Sequence, residues 1–331
     1  MIKIAVDAMG GDHAPEVTIE GTLWALREYS EVKVLLTGPE GLLKQALNGR
    51  QVDFSRLEIV NAPQSVAMDE HPSKVIRSKP DSSIVRSAEL VKEGQANAGL
   101  SAGNTGAAMA SALFKIGRIK GVDRPAIGIP LPVGEKFFLL VDGGANADCK
   151  PANLMQFAKM GSIYAKEVLH VADPKVGLLN IGEEAEKGNE LTKEAYKLLS
   201  ELEGINFIGN IEGKDIPAGV ADVVVCDGFV GNTVLKLIEG MWKQFAKSLK
   251  SQIFAGTAGK FAGLLVKGNL EEMKRSMDYA EYGGAPLLGV NGVYIISHGR
   301  SDAKAIKNAI RVAAEGVKSN FVGKLTQALT E

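Results

Sequence analysis

The chain has 331 residues, of which 45% are hydrophobic and 23% charged, and its formal net charge is -1. That balance is ordinary for a water-soluble globular protein and creates no overall field that would draw in nucleic acid. Two cysteines, Cys149 and Cys226, are too few for a disulfide framework, and neither lies in a CxxC or Cys/His cluster that would hold structural zinc. The first residues enter a strand pattern without the apolar stretch of a signal peptide. No apolar run approaches the ~20 residues of a spanning helix, so a cytosolic protein is expected.

Apolar runs and amphipathic stretches then alternate. Strands are expected at 2–6, 32–37 and 57–61, separated by helices at 17–29 and 41–47. In the first helix Ile19, Leu23 and Leu26 recur at helical spacing. A helix over 82–94 has Ser82 as its expected cap and Gly94 as its stop. Strand 98–101 and helix 105–116 follow, then strand 137–142 and helix 151–168, strand 176–181 and helix 190–199. A short strand at 207–209 and a β-branched one at 222–226 lead into a helix over 233–249. Strand 293–297 and a long helix over 301–321 close the chain. Only 253–282 shows no strand. This alternation predicts one α/β domain over 1–331, a mainly parallel sheet with helices on both faces, and 250–282 as a helical insertion.

The polar residues concentrate where strands end, which is where open α/β sheets build ligand sites. Gly-Asn-Thr occurs twice at such exits, at 103–105 and 231–233. The first exit carries Asp7, Gly10, Gly11 and His13, suited either to a polar ligand or to a plain tight turn. Asn104 and Thr105 follow the 98–101 strand. Asp142 and Asn146 stand in a glycine-rich turn after a very apolar strand, an arrangement with more polar groups than a simple connection needs. Asn180, Lys187 and Asn189 form another exit, with Lys187 either a phosphate ligand or a surface lysine paired with Glu183 or Glu184. Asp227 and Gly228 end the β-branched strand, and Asn232 and Thr233 are the expected cap of the next helix. Ser297, His298 and Arg300 precede a helix expected to be capped at Ser301, a set suited to anion binding. Lys74, Arg77 and Lys79 form a basic stretch that either meets an acidic group or is solvated. The sequence lacks GxGxxG after a strand, GxxxxGK[ST], GxSxG and HExxH.

Taken in order, these exits resemble one family, the bacterial phosphate acyltransferases of phospholipid synthesis (acyl-[acyl-carrier-protein]:phosphate acyltransferases). The resemblance rests on Ala5 to Pro15, Ser101 to Gly106, Arg124 to Ile127, Val141 to Asn146, Asn180 to Glu184, Cys226 to Asn232 and Ser297 to Gly299. It implies a fold similar to phosphotransacetylases and isocitrate/isopropylmalate dehydrogenases. It also implies transfer of a long-chain acyl group from acyl-carrier protein to inorganic phosphate, with no cofactor and no metal ligands. A homodimer is implied, peripherally bound to the membrane, where a glycerol-3-phosphate acyltransferase takes the acyl phosphate. Two other readings, a short-chain phosphotransacetylase using coenzyme A and an isopropylmalate-type dehydrogenase, share the expected fold.

Phosphate is its own nucleophile in that reaction, so no Ser/His/Asp triad is needed. The residues expected to act are Asp227, Asn232, His298 and Lys187. Asp227 or His298 would position or deprotonate phosphate, and Lys187 or Arg300 would balance its charge. The substrate is expected to meet Asp7, Gly10, Gly11, Asn104, Thr105, Asp142, Asn146, Asn180, Asn189, Gly228, Ser297 and Arg300, the exits forming the walls of one cleft. In the strandless stretch Phe254, Ala258, Phe261 and Leu265 recur on one helical face beside Lys250, Lys260 and Lys267. That pattern resembles an interfacial membrane segment, or a hairpin buried between subunits. Lys243, Lys247 and Lys250 share another face, suited to an acidic carrier protein or anionic lipid.

Overall fold

The computed structural model describes residues 1–134, 136–254, 268 and 282–330. Among these, eleven strands form one sheet in the order β3-β2-β1-β4-β11-β10-β5-β6-β9-β7-β8. The strands are β1 (Ile2–Asp7), β2 (Val32–Gly38), β3 (Leu57–Asn61), β4 (Ala98–Ser101), β5 (Ala126–Val133), β6 (Lys136–Val141), β7 (Lys175–Asn180), β8 (Asn206–Glu212), β9 (Val223–Val225), β10 (Ala285–Leu288) and β11 (Val293–Ile296). The helices are α1 (Glu16–Glu28), α2 (Glu40–Leu47), α3 (Pro72–Ser78), α4 (Ser83–Lys92), α5 (Thr105–Ser111), α6 (Pro151–Glu167), α7 (Glu190–Ser200), α8 (Gly228–Ile253), α9 (Ala303–Lys318) and α10 (Phe321–Thr330). A π-helical turn, Ala112–Ile116, extends α5.

The mixed α/β architecture is the expected one, with a central exception that matters for the site. The pairs β11–β10, β10–β5 and β5–β6 are antiparallel. Three reversals leave β6, β9 and β7 running opposite to β1, β4 and β11.

Each half has its own core. Ile4, Val6, Val34 and Leu100 from the strands pack with Ile19 and Leu23 of α1 and Ile306 and Ile310 of α9. Leu139, Val141, Val176 and Val223 pack with Leu154 and Phe157 of α6 and with Phe321 and Leu325 of α10. The long closing helix expected over 301–321 is in fact two. Asp302, not Ser301, caps α9 by accepting the Ala305 N–H at 2.8 Å. Asn320, at φ +51°, then turns the chain into α10.

Candidate active site

Four turns and one helix face bring the polar residues together. At the end of β1, Asp7 is buried; its carboxylate accepts from Ser101 Oγ at 2.7 Å and from the Met9 N–H at 3.1 Å. Burial raises its pKa, and these donors pull the other way. Asp7 thus ties the β1 exit to the β4 exit. Gly10 lies in that junction so closely that a Cβ there would stand 2.6 Å from the Gly103 nitrogen, so only glycine fits. The Asp12 N–H donates to the Gly299 carbonyl at 2.7 Å, joining the β11 exit to the other two.

Asn104 caps α5, its Oδ1 accepting the Ala107 N–H at 2.9 Å. Its Nδ2 donates to the carbonyls of Met68 and Glu70, at 2.8 and 3.0 Å. Both ends of this amide are therefore engaged within the protein, and Asn104 positions the 68–70 segment. Thr105 is exposed beside it. Ser297 is buried and its hydroxyl has no hydrogen-bond partner among the described residues. His298 and Arg300 are exposed. The backbone N–H of Arg300 donates to His298 Nδ1 at 3.1 Å, which leaves the proton of the neutral ring on Nε2. Burial lowers the His298 pKa from its ordinary 6.5, Lys236 and Arg300 lower it further, and Glu239 and Asp12 oppose them.

On the oppositely running strands, Asp142 organises the β6 exit. Its Oδ1 accepts the N–H groups of Ile127, Gly144 and Ala145 at 2.9, 3.2 and 3.0 Å. Its Oδ2 accepts the Asn146 backbone N–H at 2.7 Å and Asn146 Nδ2 at 2.9 Å. Asn146 Nδ2 also reaches the Pro125 carbonyl at 2.8 Å. Asp142 is fully buried and burial raises its pKa, against the pull of these donors. Asp142 and Asn146 build the turn and face away from solvent. The nearby Cys149 thiol is pushed up to about 11, chiefly by burial and by the Asp142 charge, so it is no thiolate nucleophile at neutral pH.

The β9 exit reverses an expected role. Asp227 is the cap of α8, its Oδ1 accepting the Val230 N–H at 2.9 Å. Asn232 lies one turn inside the helix, exposed, with its side chain against Gly144. Gly231 makes this start possible: a Cβ there would stand 1.9 Å from the Asp142 carbonyl oxygen. Gly228 is buried, and its N–H donates to the Asn146 carbonyl at 2.7 Å.

Helix α8 connects the two groups of exits. Asn232, Lys236 and Glu239 fall at i, i+4 and i+7 and share one face. Asn232 meets the β6 exit turn, whereas Lys236 and Glu239 come within electrostatic reach of His298 at the β11 exit. Lys236 and Glu239 pair at 2.8 Å. At 1.5 Å of rise per residue, Asn232 and Lys236 lie roughly 6 Å apart along the axis. The shared cleft wall is thus a helix face, and Lys236 and Glu239 are the residues that sequence reasoning missed. Their signal was the spacing from Asn232.

The β7 exit lies beside the β9 exit, Leu178 being in register with Val225. Asn180 Nδ2 donates to the Lys187 carbonyl at 3.1 Å, and Asn189 caps α7 by accepting the Thr192 N–H at 2.9 Å. Lys187 is exposed, and of the two glutamates considered as its alternative partners, Glu183 pairs with Lys214, at 3.8 Å. Glu183, Glu212 and Asp215 form an acidic group there, but Lys214 pairs with the two glutamates and supplies a counter-charge.

A family model described as "Fatty acid synthesis protein" matches residues 2–324. A curated "Phosphate acyltransferase" from Clostridium perfringens (strain SM101) is 47% identical over 330 residues, covering 100% of this chain and 97% of the relative. Another, from Clostridium botulinum (strain ATCC 19397), is 52% identical over 310 residues, covering 94% and 92%. The chain belongs to the phosphate acyltransferase family. Among solved structures it is similar in fold to a phosphotransacetylase from Streptococcus pyogenes (TM-score 0.65, 17% identity, 96% and 94% covered). The EutD phosphotransacetylase from Staphylococcus aureus is similar too (TM-score 0.61, 18% identity, 96% and 94% covered). For a phosphate acyltransferase, a site of amides, an Asn and cations with no activated side-chain nucleophile is chemically sufficient.

Proposed function

We propose that the protein transfers a long-chain acyl group from acyl-[acyl-carrier protein] to inorganic phosphate, releasing acyl phosphate for phospholipid synthesis. The observation that carries this reading is near-full-length identity of about half with curated phosphate acyltransferases. The cleft face of Asn232 and Lys236 opposite His298 and Arg300 is the proposed reaction site. Arg300 and Lys236 hold the phosphate dianion. One phosphate oxygen attacks the thioester carbon, and the C–S bond of the tetrahedral intermediate then breaks. The proton lost by phosphate goes to the departing carrier thiol. Asn232 and His298 Nε2–H donate hydrogen bonds to the developing oxyanion. Asp227 acts by capping α8 and so holding Asn232 in place. The test supplies palmitoyl-carrier protein with phosphate and measures acyl phosphate. Formation of acyl phosphate from that pair, at least 100-fold above that from acetyl-coenzyme A, is expected. Comparable or better use of acetyl-coenzyme A would establish a short-chain phosphotransacetylase instead.

A cytoplasmic homodimer bound peripherally to the membrane, handing acyl phosphate to a glycerol-3-phosphate acyltransferase, completes the proposal. No helix among the described residues is long and apolar enough to cross a membrane. Support for the dimer comes from α8. The stripe that Val234 and Ile238 sink into the core continues as Met241 and Phe245, which are 65% and 55% exposed. Phe254, the C-cap of α8, is half-buried. Ala258, Phe261 and Leu265, and most of the 250–282 insertion, lie outside the described residues. On this proposal, Phe261→Asp combined with Leu265→Asp abolishes co-sedimentation with anionic liposomes. Undiminished co-sedimentation would move the membrane contact elsewhere.

A further inference from the structure

A cavity of about 300 Å³ opens beside the β1 exit, between Met9 and Gly11 on one side and residues 65–68 on the other. Its walls are built and fastened. Glu70 Oε1 accepts the Ala67 N–H and Lys79 Nζ, both at 2.6 Å, and Lys79 Nζ also donates to the Ser65 carbonyl at 2.8 Å. Asn104 holds the Met68 and Glu70 carbonyls from the β4 side, as described above. The cavity abuts the proposed reaction site. Gly11 lines it, and the Met68 methyl lies so close to Gly299 that a Cβ there would stand 2.6 Å from it.

The lining is mixed, with Ser65, Glu70 and Lys79 beside apolar side chains. Its cation, Lys79, is paired with Glu70. Met9, Val66, Ala67 and Met68 supply apolar and, in the methionines, adaptable surface. Met68 is 43% exposed, an apolar side chain left open at the mouth. We propose that this cavity receives the thioester-proximal methylenes of the fatty acyl chain, with the carbonyl emerging at the Gly299 turn toward His298. A volume near the lower end of ligand sites suits part of a long chain, the remainder passing out past Met68. The 62–70 segment then measures chain chemistry, and Asn104 is a positioning residue that holds it.

The inference rests on the acyl-transfer reading, and its test does not. The protein, labelled with [methyl-13C]methionine, is titrated with dodecyl-pantetheine, a thioether that cannot react. The Met9 and Met68 methyl resonances, identified by Met9→Leu and Met68→Leu, are expected to shift saturably. Ala67→Trp, at an exposed position that can accept bulk, fills the cavity. It is expected to weaken dodecyl-pantetheine binding at least 10-fold and to leave the KM for phosphate within twofold. Unmoved Met9 and Met68 resonances at millimolar ligand overturn the inference, as does unchanged affinity in Ala67→Trp. Absence of acyl phosphate from the wild-type protein would instead refute the acyl-transfer reading, whatever the methyl groups do.

Discussion

Asp142→Ala is expected to lose at least about 4 kcal/mol of stability, a large part of the 5–15 kcal/mol that holds a typical domain together. The carboxylate accepts five N–H bonds inside the protein. Alanine leaves four backbone donors without it, those of Ile127, Gly144, Ala145 and Asn146, while Asn146 Nδ2 keeps the Pro125 carbonyl. A buried donor without a partner costs roughly 1–3 kcal/mol, and the Ile127 and Asn146 donors are wholly buried. Asp142→Asn retains one acceptor oxygen but turns an NH2 group against the remaining donors, so it should fall between the two. Urea unfolding of the three proteins decides this. A midpoint shift in Asp142→Ala worth less than 1 kcal/mol, at an unchanged m-value, would show that the turn is held by something else.

Such a role was half legible in the sequence. Asp142 stands out as a polar residue ending an apolar strand, but the sequence does not say whether its carboxylate faces a ligand or its own turn. One of its five donors, Ile127, lies fifteen residues away on β5. That strand was itself unreadable because Pro130 and Pro132 argue against a strand. They are tolerated because both, two residues apart, turn their missing N–H to the same side. On that side β10 pairs only as far as Ile127 and Ala126. The short β10 was hidden as well, and with it the reversals that set β6, β9 and β7 running opposite to β1, β4 and β11.

The start of α8 misled for a different reason. Gly228 and Gly231 are poor helix formers, so local propensity delays the helix to Asn232 and Thr233. Packing overrides it, because Gly231 must lie against the Asp142 carbonyl and Asp227 is then the residue in place to cap. By contrast, strands such as β1, β2 and β9 carry dense apolar stretches (Ile4–Val6, Val34–Leu36 and Val223–Val225), and the expected bounds fall within a residue or two of those observed.

Hydrogen bonding within the β11 exit decides what His298 is expected to do. His298→Ala should reduce turnover roughly 100-fold or more, the usual consequence of removing one donor to a developing oxyanion. His298→Gln should stay within about 10-fold of wild type, because its amide nitrogen can stand near the position of Nε2 and donate in the same direction. A general base behaves otherwise. Glutamine cannot accept a proton, so both variants would then fall together by roughly 100-fold or more. The geometry favours the donor: Nδ1 is occupied by the Arg300 N–H, which leaves the neutral ring's proton on Nε2. The pH profile is an independent check. A pKa lowered from 6.5 keeps the ring neutral at pH 7 and above, with protonation appearing only as the pH falls below the ordinary histidine range. Between pH 7 and 8 wild type and His298→Gln should therefore show parallel profiles of kcat, with no titration of residue 298 separating them. Equal losses in the two variants would return His298 to the role of proton acceptor.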